Sequence, residues 1–283
     1  MASQRDIRRR IGSVRNIRQI TRAMQFVAAS KLRRAQEATL AARPYSEALD
    51  EVLADLAAVL GQEHHPLLAV PDGGKRIIVL VTTDRPLAGP LTSNIVRFIA
   101  REIVDHPGDV AVVTIGRKGR DAMRRTGVPI DAHFAGFGDR PAFADVLPLV
   151  RLISEGYLGG EFGRVDVIYS HFVSTLVQRP TMAQLLPIVP TTDTSGIPGR
   201  QFIFEPSPAG VLERLLPRYV ATRLYQAVLE SKASEESSRM VAMKNATENA
   251  ETLIDDLTLA YNKVRQANIT REMIEIATGA QAH

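Results

Sequence analysis

The sequence predicts an α/β protein, in which a long antiparallel coiled coil of N- and C-terminal helices carries a Rossmann-like, doubly wound, mostly parallel sheet domain. Three observations lead to this prediction: a heptad pattern near the C-terminus, an apolar helical stripe near the N-terminus, and alternating strands and helices between them. The corresponding domains are an N-terminal coiled-coil helix over residues 1–60, a central α/β domain over 76–208, and a C-terminal coiled-coil helix over 209–283, which pairs with 1–60.

Composition narrows the class of protein. A chain of 283 residues with 45% hydrophobic and 23% charged residues is typical of a globular protein. It has no cysteine, which excludes disulfides and thiol chemistry. No apolar run approaches the ~20 residues needed to cross a bilayer, so we expect any membrane association to go through a partner. Residues 1–34 carry ten Lys/Arg against the single Asp6, which predicts an acidic protein surface, a membrane face or nucleic acid as the binding partner.

The first of the three patterns runs from about Ser238 to Ile276, where apolar residues alternate in steps of three and four. This 3.5-residue period is typical of a left-handed coiled coil. The alanine-rich half of the pattern would allow a partner helix to approach closely. The two predicted columns of the seam are Met243/Ala250/Leu257/Val264 and Ala246/Leu253/Ala260/Ala267.

The N-terminal segment, from Ser3 to about Leu60, is also predicted to be helical. Ser3 followed by Asp6 is a helix-start signal, and Pro44 should kink or end the helix, with residues 45–60 continuing it. We expect the two terminal helices to pair antiparallel, with the middle of the chain inserted between them. The predicted apolar stripe consists of Ile7, Ile11, Val14, Ile17, Ile20, Met24 and Val27.

The middle of the chain alternates between strand and helix patterns, in the order typical of a doubly wound sheet with a hairpin-like addition. The predicted strands cover 76–82, 109–115, 130–134, 164–172 and 176–188, with a possible edge strand at 201–204, and the predicted helices cover 91–104, 117–126 and 141–157. Residues 61–75, including His64 and His65, are predicted to be a solvated linker, and residues 191–199 a loop. The chain returns to helix from Pro208, where Pro217 either occupies a first turn or kinks the helix.

Asp84, directly after the first strand, lies where a doubly wound fold keeps its ligands. However, no G-x-x-x-x-G-K-[ST] or G-x-G-x-x-G motif is present, and Pro86 and Pro90 remove two N–H groups from the loop that would hold an anion. A turn or helix-cap role for Asp84 is therefore favoured, and a nucleotide-dependent enzyme is kept as an alternative. We predict no catalytic, cofactor-binding or metal-binding residue.

Neither the remaining histidines nor the clustered carboxylates form a pattern typical of a chemical site. His106, His133, His171 and His283 lack the spacing of metal ligands, and the carboxylates at Glu248, Glu251, Asp255 and Asp256 are expected to form a solvated helix face. A nucleic-acid-binding coiled coil is a third interpretation. Against it, Phe26 is the only aromatic residue among the first forty that could stack on a base.

The terminal segments resemble one family over almost the whole chain. The runs from Ile7 to Leu32 and from Arg239 to Thr270 are similar to the gamma subunit of the rotary (F-type) ATP synthase. The segments Thr83-Asp84-Arg85 and Pro180–Pro187 also match that family. Departures from the family pattern occur at Pro86, Pro90, Pro217 and Arg271.

The resemblance implies a non-catalytic central-stalk rotor subunit, which transmits torque between a membrane rotor ring and catalytic beta subunits and so couples ion flow to ATP synthesis or hydrolysis. It implies alpha and beta subunits, an epsilon subunit and a ring of c subunits as partners, with one copy per complex and no nucleic acid. It also implies no cofactor of its own, and a peripheral location at the cytoplasmic face of the cell membrane, most simply a bacterial plasma membrane.

The resemblance further implies which residues contact the beta subunits. Met24 and Arg239 match shaft residues that meet an acidic lever of those subunits. Arg265, Gln266 and Thr270 match a polar group that meets a catch loop nearer the upper end of the shaft.

Overall fold

The computed structural model describes residues 3–60, 65–71, 73–189 and 207–281, so the predicted strand at 201–204, the loop at 191–199 and His64 lie outside the described residues. The helices in this part of the chain are α1 (Gln4–Leu60), α2 (Leu91–Asp105), α3 (Arg117–Thr126), α4 (Phe143–Leu158) and α5 (Pro208–Gln281). The strands are β1 (Lys75–Val81), β2 (Val110–Ile115), β3 (Ile130–Phe134), β4 (Phe162–Phe172) and β5 (Gln178–Leu186).

The five strands form one sheet in the order β3-β2-β1-β4-β5. Strands β1 to β4 are mutually parallel, and β5 is antiparallel to β4. In the centre, Val79 lies opposite Val113 on one side and Val167 on the other. The mostly parallel, doubly wound sheet with a hairpin-like addition is thus confirmed.

The central strand β1 is buried on both sides, because its side chains alternate between two helical layers. Ile77, Val79 and Val81 pack in the layer that includes α4 and segments of α1 and α5. Ile78 and Leu80 pack in the layer formed with α2 and α3. Burial of each such aliphatic side chain contributes about 1.5–3 kcal/mol to folding.

The chain forms two compact units. One consists of residues 1–28 and 239–283, and the other of residues 29–238. The unit that contains the sheet therefore also includes the second half of α1 and the first part of α5. We call residues 1–28 and 239–283 the helical unit, and residues 29–238 the sheet unit.

Within the helical unit, α1 and α5 pair antiparallel, as predicted. The Gln4 amide donates a hydrogen bond to the Tyr261 hydroxyl at 3.1 Å, while the hydroxyls of Thr21 and Thr247 are 2.8 Å apart. Residues later in α1 thus contact residues earlier in α5, as antiparallel pairing requires.

The predicted stripe on α1 is wrong in part. Ile7, Ile11 and Ala28 are buried, together with Thr21, but Ile17, Ile20 and Val27 are 49%, 59% and 54% exposed. From Ile7 to Val27 the predicted stripe advances twenty positions in six steps, about 3.3 residues per step, so it rotates away from a seam that repeats every 3.5 residues. The small side chains at 21 and 28 take the seam positions that larger apolar residues were expected to fill.

Of the two predicted columns on α5, the first is confirmed and the second is wrong in part, since only Ala246 and Ala260 of its members are half-buried. Met243 and Ala250 are buried, but Leu253 is 46% exposed and Ala267 is also exposed. The second column lies one residue later, at Thr247, Ile254, Tyr261 and Asn268. Steps of three and of four both generate heptads, so the apolar pattern alone did not distinguish the two columns. The pairing of Thr247 with Thr21 decides between them.

Both long helices continue through their prolines. Pro44 does not end α1, and α5 begins at Pro208, so Pro217 lies in its interior rather than in its first turn. Pro44 and Pro217 are both exposed, and each removes the helical hydrogen bond to the carbonyl group one turn earlier.

Candidate functional site

The carboxyl edge of the parallel sheet, where this fold class binds ligands, is closed by the chain itself. The first three N–H groups of α3 are all hydrogen-bonded to the segment that follows β1. These bonds join Arg117 N to Asp84 Oδ1 at 3.0 Å, Lys118 N to Thr83 O at 3.1 Å, and Gly119 N to Thr82 Oγ1 at 2.9 Å. Asp84 is therefore a helix cap, as favoured from the sequence. The donors that would hold a phosphate are already used.

Two glycines allow this close approach between the β1–α2 loop and α3. Gly116 has φ +93°, and a Cβ atom there would lie 2.3 Å from the carbonyl oxygen of Thr82. A Cβ atom on Gly119 would lie 2.5 Å from Thr82 Oγ1. Neither position accepts a side chain without moving the cap.

Helix α5 fills most of the cleft that remains at this edge of the sheet. Val228, Ser231 and Lys232 line the cavity there, which measures about 50 Å³. Ligand pockets typically measure about 300–1,000 Å³, so this cavity accommodates water but not a nucleotide. The interpretation of this chain as a nucleotide-dependent enzyme relied on a site beside Asp84, and this cavity is too small for a nucleotide.

The part of α5 inside the sheet unit is buried on nearly every side from residue 227 to 238, although many of its side chains are polar. Hydrogen bonds explain how they are accommodated. The Ser234 hydroxyl donates to the Ser170 carbonyl at 2.8 Å, the Ser238 hydroxyl donates to the Ala88 carbonyl at 2.7 Å, and Glu230 pairs with His171. These bonds hold α5 against the loop that follows β1 and against the end of β4.

Sequence reasoning missed this polar segment of α5, because it searched for apolar periodicity. Its signal is the run ESKASEESS at residues 230–238, which is rich in small hydroxyl side chains and interrupts the stripes on either side.

The polar segment also affects a neighbouring tyrosine of β4. Burial and the nearby Glu230 carboxylate raise the pKa of Tyr169 to about 12.

In the helical unit, the structure brings three of the predicted contact residues together. Arg265, Gln266 and Thr270 are all exposed near the end of α5. The Thr270 hydroxyl donates to the Gln266 carbonyl at 3.0 Å, so it is satisfied within its own helix. Because Gln4 is bonded to Tyr261, this segment extends past the part of α1 that the structure describes.

The other two predicted contact residues differ in accessibility. Met24 is half-buried at the seam, whereas Arg239 is buried, with 8% of its surface exposed. Arg239 precedes Arg265 by 26 positions in one helix, about 39 Å along its axis. The five predicted residues therefore do not form a single site.

Several large apolar side chains of the helical unit are exposed. The sequence pattern places Ile17, Ile20 and Val27 in the seam, yet all three are exposed, and so is Phe26, at 63%. Counting α1 in steps that average 3.5 separates Ile17, Ile20 and Val27 from the seam. Near the C-terminal end of α5, Met273 is 65% exposed.

The clustered acidic residues in the second half of α5 face solvent. Glu248, Glu251, Asp255 and Asp256 are exposed, as predicted. Over residues 3–60, 65–71, 73–189 and 207–281, no helix has the length and apolarity needed to span a membrane. Over the same ranges, no three acidic or histidine side chains are grouped as metal ligands would be.

Comparison with known proteins gives a consistent result along the whole chain. The family model described as ATP synthase matches residues 3–282. The chain is 48% identical over 284 residues to the ATP synthase gamma chain of Dehalococcoides mccartyi and 49% identical over 290 residues to that of Roseiflexus sp., covering 100% of this chain and 99% of each relative.

Solved structures share the fold at lower identity. The central stalk and c-ring structure of the Tetrahymena thermophila mitochondrial ATP synthase contains a chain that matches with a TM-score of 0.62 and 23% identity, covering 80% of this chain and 99% of that one. A chain of the Euglena gracilis mitochondrial ATP synthase matches with a TM-score of 0.69 and 19% identity, covering 99% of this chain and 94% of that one. On the full-length matches to the family model and to the bacterial relatives, this chain belongs to the ATP synthase gamma chain family.

Proposed function

We propose that this chain is the central-stalk rotor subunit of an ATP synthase, transmitting torque between a membrane rotor ring and the catalytic beta subunits without catalysing a reaction itself. Family membership at 48% identity over the full chain supports the proposal. In physical terms, the proposed rotor role rests on the antiparallel seam between α1 and α5. A two-helix shaft transmits torque only if its helices neither slide nor separate, and interlocking seam residues oppose both.

The proposed partners are the alpha and beta subunits, the epsilon subunit and the ring of c subunits, with one copy of this chain per complex. The proposed location is peripheral, at the cytoplasmic face of the cell membrane. Coupling ion flow to ATP synthesis or hydrolysis is then a property of the complex, to which this chain contributes the rotating two-helix shaft.

We further propose that Met24, Arg265, Gln266 and Thr270 contact the beta subunits. Exposure of the last three near the end of α5 supports this role. Arg239 is buried, so it would take part only through the small fraction of its surface that stays exposed. The exposed Ile17, Ile20 and Val27 add apolar surface that a surrounding ring of subunits would cover.

The basic character of α1 supplies a long-range attraction to acidic surfaces without requiring a tight fit at any one rotation angle. Arg8 and Arg15 are exposed, and neither forms an ion pair in the part of the chain that the structure describes. They are therefore available to a partner.

The proposal is tested by expressing the chain with and without alpha and beta subunits, and measuring the subunit stoichiometry of the purified complex. We expect one copy per assembly. The variant R8E/R15E should reduce recovery of this chain with alpha and beta at physiological salt, while R97E/R101E, which reverses two exposed charges on α2, should not. Unchanged recovery of R8E/R15E would refute the electrostatic part of the proposal, and failure of the wild-type chain to join any complex would refute the rotor role.

A further inference from the structure

Helix α3, in the sheet unit, has an unusual charge that the rotor role does not use. Its ten residues contain five cations and one carboxylate, a formal net charge of +4, equal to that of the entire 283-residue chain. Gly119, Ala122 and Met123 are buried against the sheet, so the cations occupy the outward side. They are Arg117, Lys118, Arg120, Arg124 and Arg125.

Most of this charge is not neutralised within the described residues. Arg117 lies 3.6 Å from Asp84, and Arg120 lies 2.9 Å from Asp121. Lys118, Arg124 and Arg125 have no carboxylate within ion-pair distance in the ranges the structure describes. The hydrogen bond from Arg120, with the charges of Lys118 and Arg124, holds the pKa of Asp121 below its usual value, as expected for a carboxyl group in a positive field.

Helix electrostatics accounts for only part of this arrangement. Arg124 and Arg125 lie in the last turn, where cations interact favourably with the helix dipole. Lys118 and Arg120 lie in the first half of the helix, where the dipole disfavours a positive charge. Arg120 is offset by Asp121 on the same helix, whereas Lys118 has no carboxylate within ion-pair distance among the described residues, so a negative group from outside α3 would be favoured beside it.

A groove of about 540 Å³ runs between α3 and the edge strand β3, within the range of volumes that ligands occupy. Arg120, Arg124 and His133 line it. The His133 ring is fixed by a 2.9 Å hydrogen bond between its Nδ1 and the hydroxyl of the buried Thr114.

The single carboxylate that lines this groove is neutralised from its other side. Asp131 lies 2.7 Å from the ammonium group of Lys75, which also contacts Glu161 at 3.0 Å. Hydrogen bonds to these two carboxylates raise the pKa of Lys75, so it stays charged at neutral pH. The groove therefore presents the guanidinium groups of Arg120 and Arg124 and the imidazole of His133, and the anion that competes for Arg120 is Asp121 on the same helix, 2.9 Å away.

We propose that this groove binds phosphate groups, with Arg120 and Arg124 as the principal ligands and His133 beside them. Guanidinium groups match phosphate oxygens with paired, charge-assisted hydrogen bonds. The phosphate could belong to a free ion or to the headgroup of an anionic lipid, and the chemistry of recognition is shared. This inference goes beyond the rotor role and does not depend on it.

The test uses the full chain and two probes: inorganic pyrophosphate, measured by calorimetry, and vesicles containing phosphatidylglycerol, measured by co-sedimentation. The variant R120Q/R124Q removes both guanidinium groups from the groove. The control R97Q/R101Q removes two exposed cations from α2, outside the groove. Circular dichroism checks that both variants keep the wild-type helix content.

We expect R120Q/R124Q to weaken binding by roughly tenfold or more per guanidinium, since each makes charge-assisted hydrogen bonds, and the control to change it less than about twofold. Loss of pyrophosphate binding would identify a free phosphate as the source, whereas loss of vesicle binding alone would identify the lipid headgroup. The proposal is overturned if neither probe binds, or if the two variants weaken binding equally, since that outcome indicates general charge attraction.

Discussion

The register of the α1–α5 seam can be tested by truncating two adjacent residues of α5. Sequence periodicity places Leu253 in the seam, whereas the structure places Ile254 there. Ile254 is 8% exposed and Leu253 is 46% exposed. Both variants, Ile254→Ala and Leu253→Ala, remove three carbon atoms from the same turn of the same helix, so each serves as the control for the other.

The expected magnitudes follow from burial. Truncation of a buried isoleucine to alanine costs about 2–4 kcal/mol, because it loses transfer free energy and leaves a cavity. Leu253 is about half in water, and at ~0.8 kcal/mol per buried CH₂ its truncation should cost about 1 kcal/mol. Alanine is the better helix former in both cases and offsets each loss by a few tenths of a kcal/mol. The difference between the variants should therefore be about 1–3 kcal/mol.

The assay is urea unfolding of the full chain, followed by circular dichroism at 222 nm. Similar m-values for both variants would show that the change lies in stability rather than in the surface exposed on unfolding. A further variant, Leu253→Glu, should be tolerated by the isolated chain, whereas Ile254→Glu should not. Equal losses from the two alanine variants, or a larger loss from Leu253→Ala, would refute the seam assigned here.

Three other predictions concern single contacts. A double-mutant cycle of Thr21→Val and Thr247→Val should give a coupling energy of about 1 kcal/mol in urea unfolding, and an additive cycle would contradict the 2.8 Å hydroxyl pair. Gly116→Ala, with φ +93° and a Cβ atom 2.3 Å from a carbonyl oxygen, should destabilise the chain by about 3 kcal/mol, against about 1 kcal/mol for Gly127→Ala, where φ is +77° but space is free. Equal losses of stability from the two glycine variants would show that the close contact at Gly116 does not add to the cost of its positive φ. Burial raises the pKa of Tyr157 to about 12, above its ordinary 10.0, so the neutral phenol is favoured in the fold. The contribution of the neutral Tyr157 phenol to stability is complete below pH 10 and is lost as pH rises toward 12. Tyr157→Phe should therefore reduce the fall of the urea unfolding midpoint at alkaline pH. An unchanged pH profile of the midpoint would contradict this prediction.

Much of the fold could be predicted from local patterns. The strands of the sheet unit were found to within two residues, because runs such as Ile77–Val81 are apolar at every position and are bounded by turn residues. The helix over 117–126 was predicted with the bounds that the structure has. A turn or helix-cap role for Asp84 also followed from the sequence, since the loop after β1 lacks the glycines and N–H groups of a phosphate site, and the structure decides for the cap.

What the sequence by itself determined was which segments are helix and which are strand, that the terminal helices are amphipathic, and that this chain resembles a single family along its length. Only the tertiary structure decided which residues meet. On α1 the seam uses Thr21 and Ala28 rather than larger apolar neighbours, and on α5 it uses Thr247 rather than Ala246. Helix contact depends on register and side-chain size across two segments more than 200 residues apart. The polar segment of α5 at residues 230–238 is buried for the same reason, since its hydrogen-bond partners lie at the end of β4 and in the loop after β1, which the local sequence pattern does not reveal.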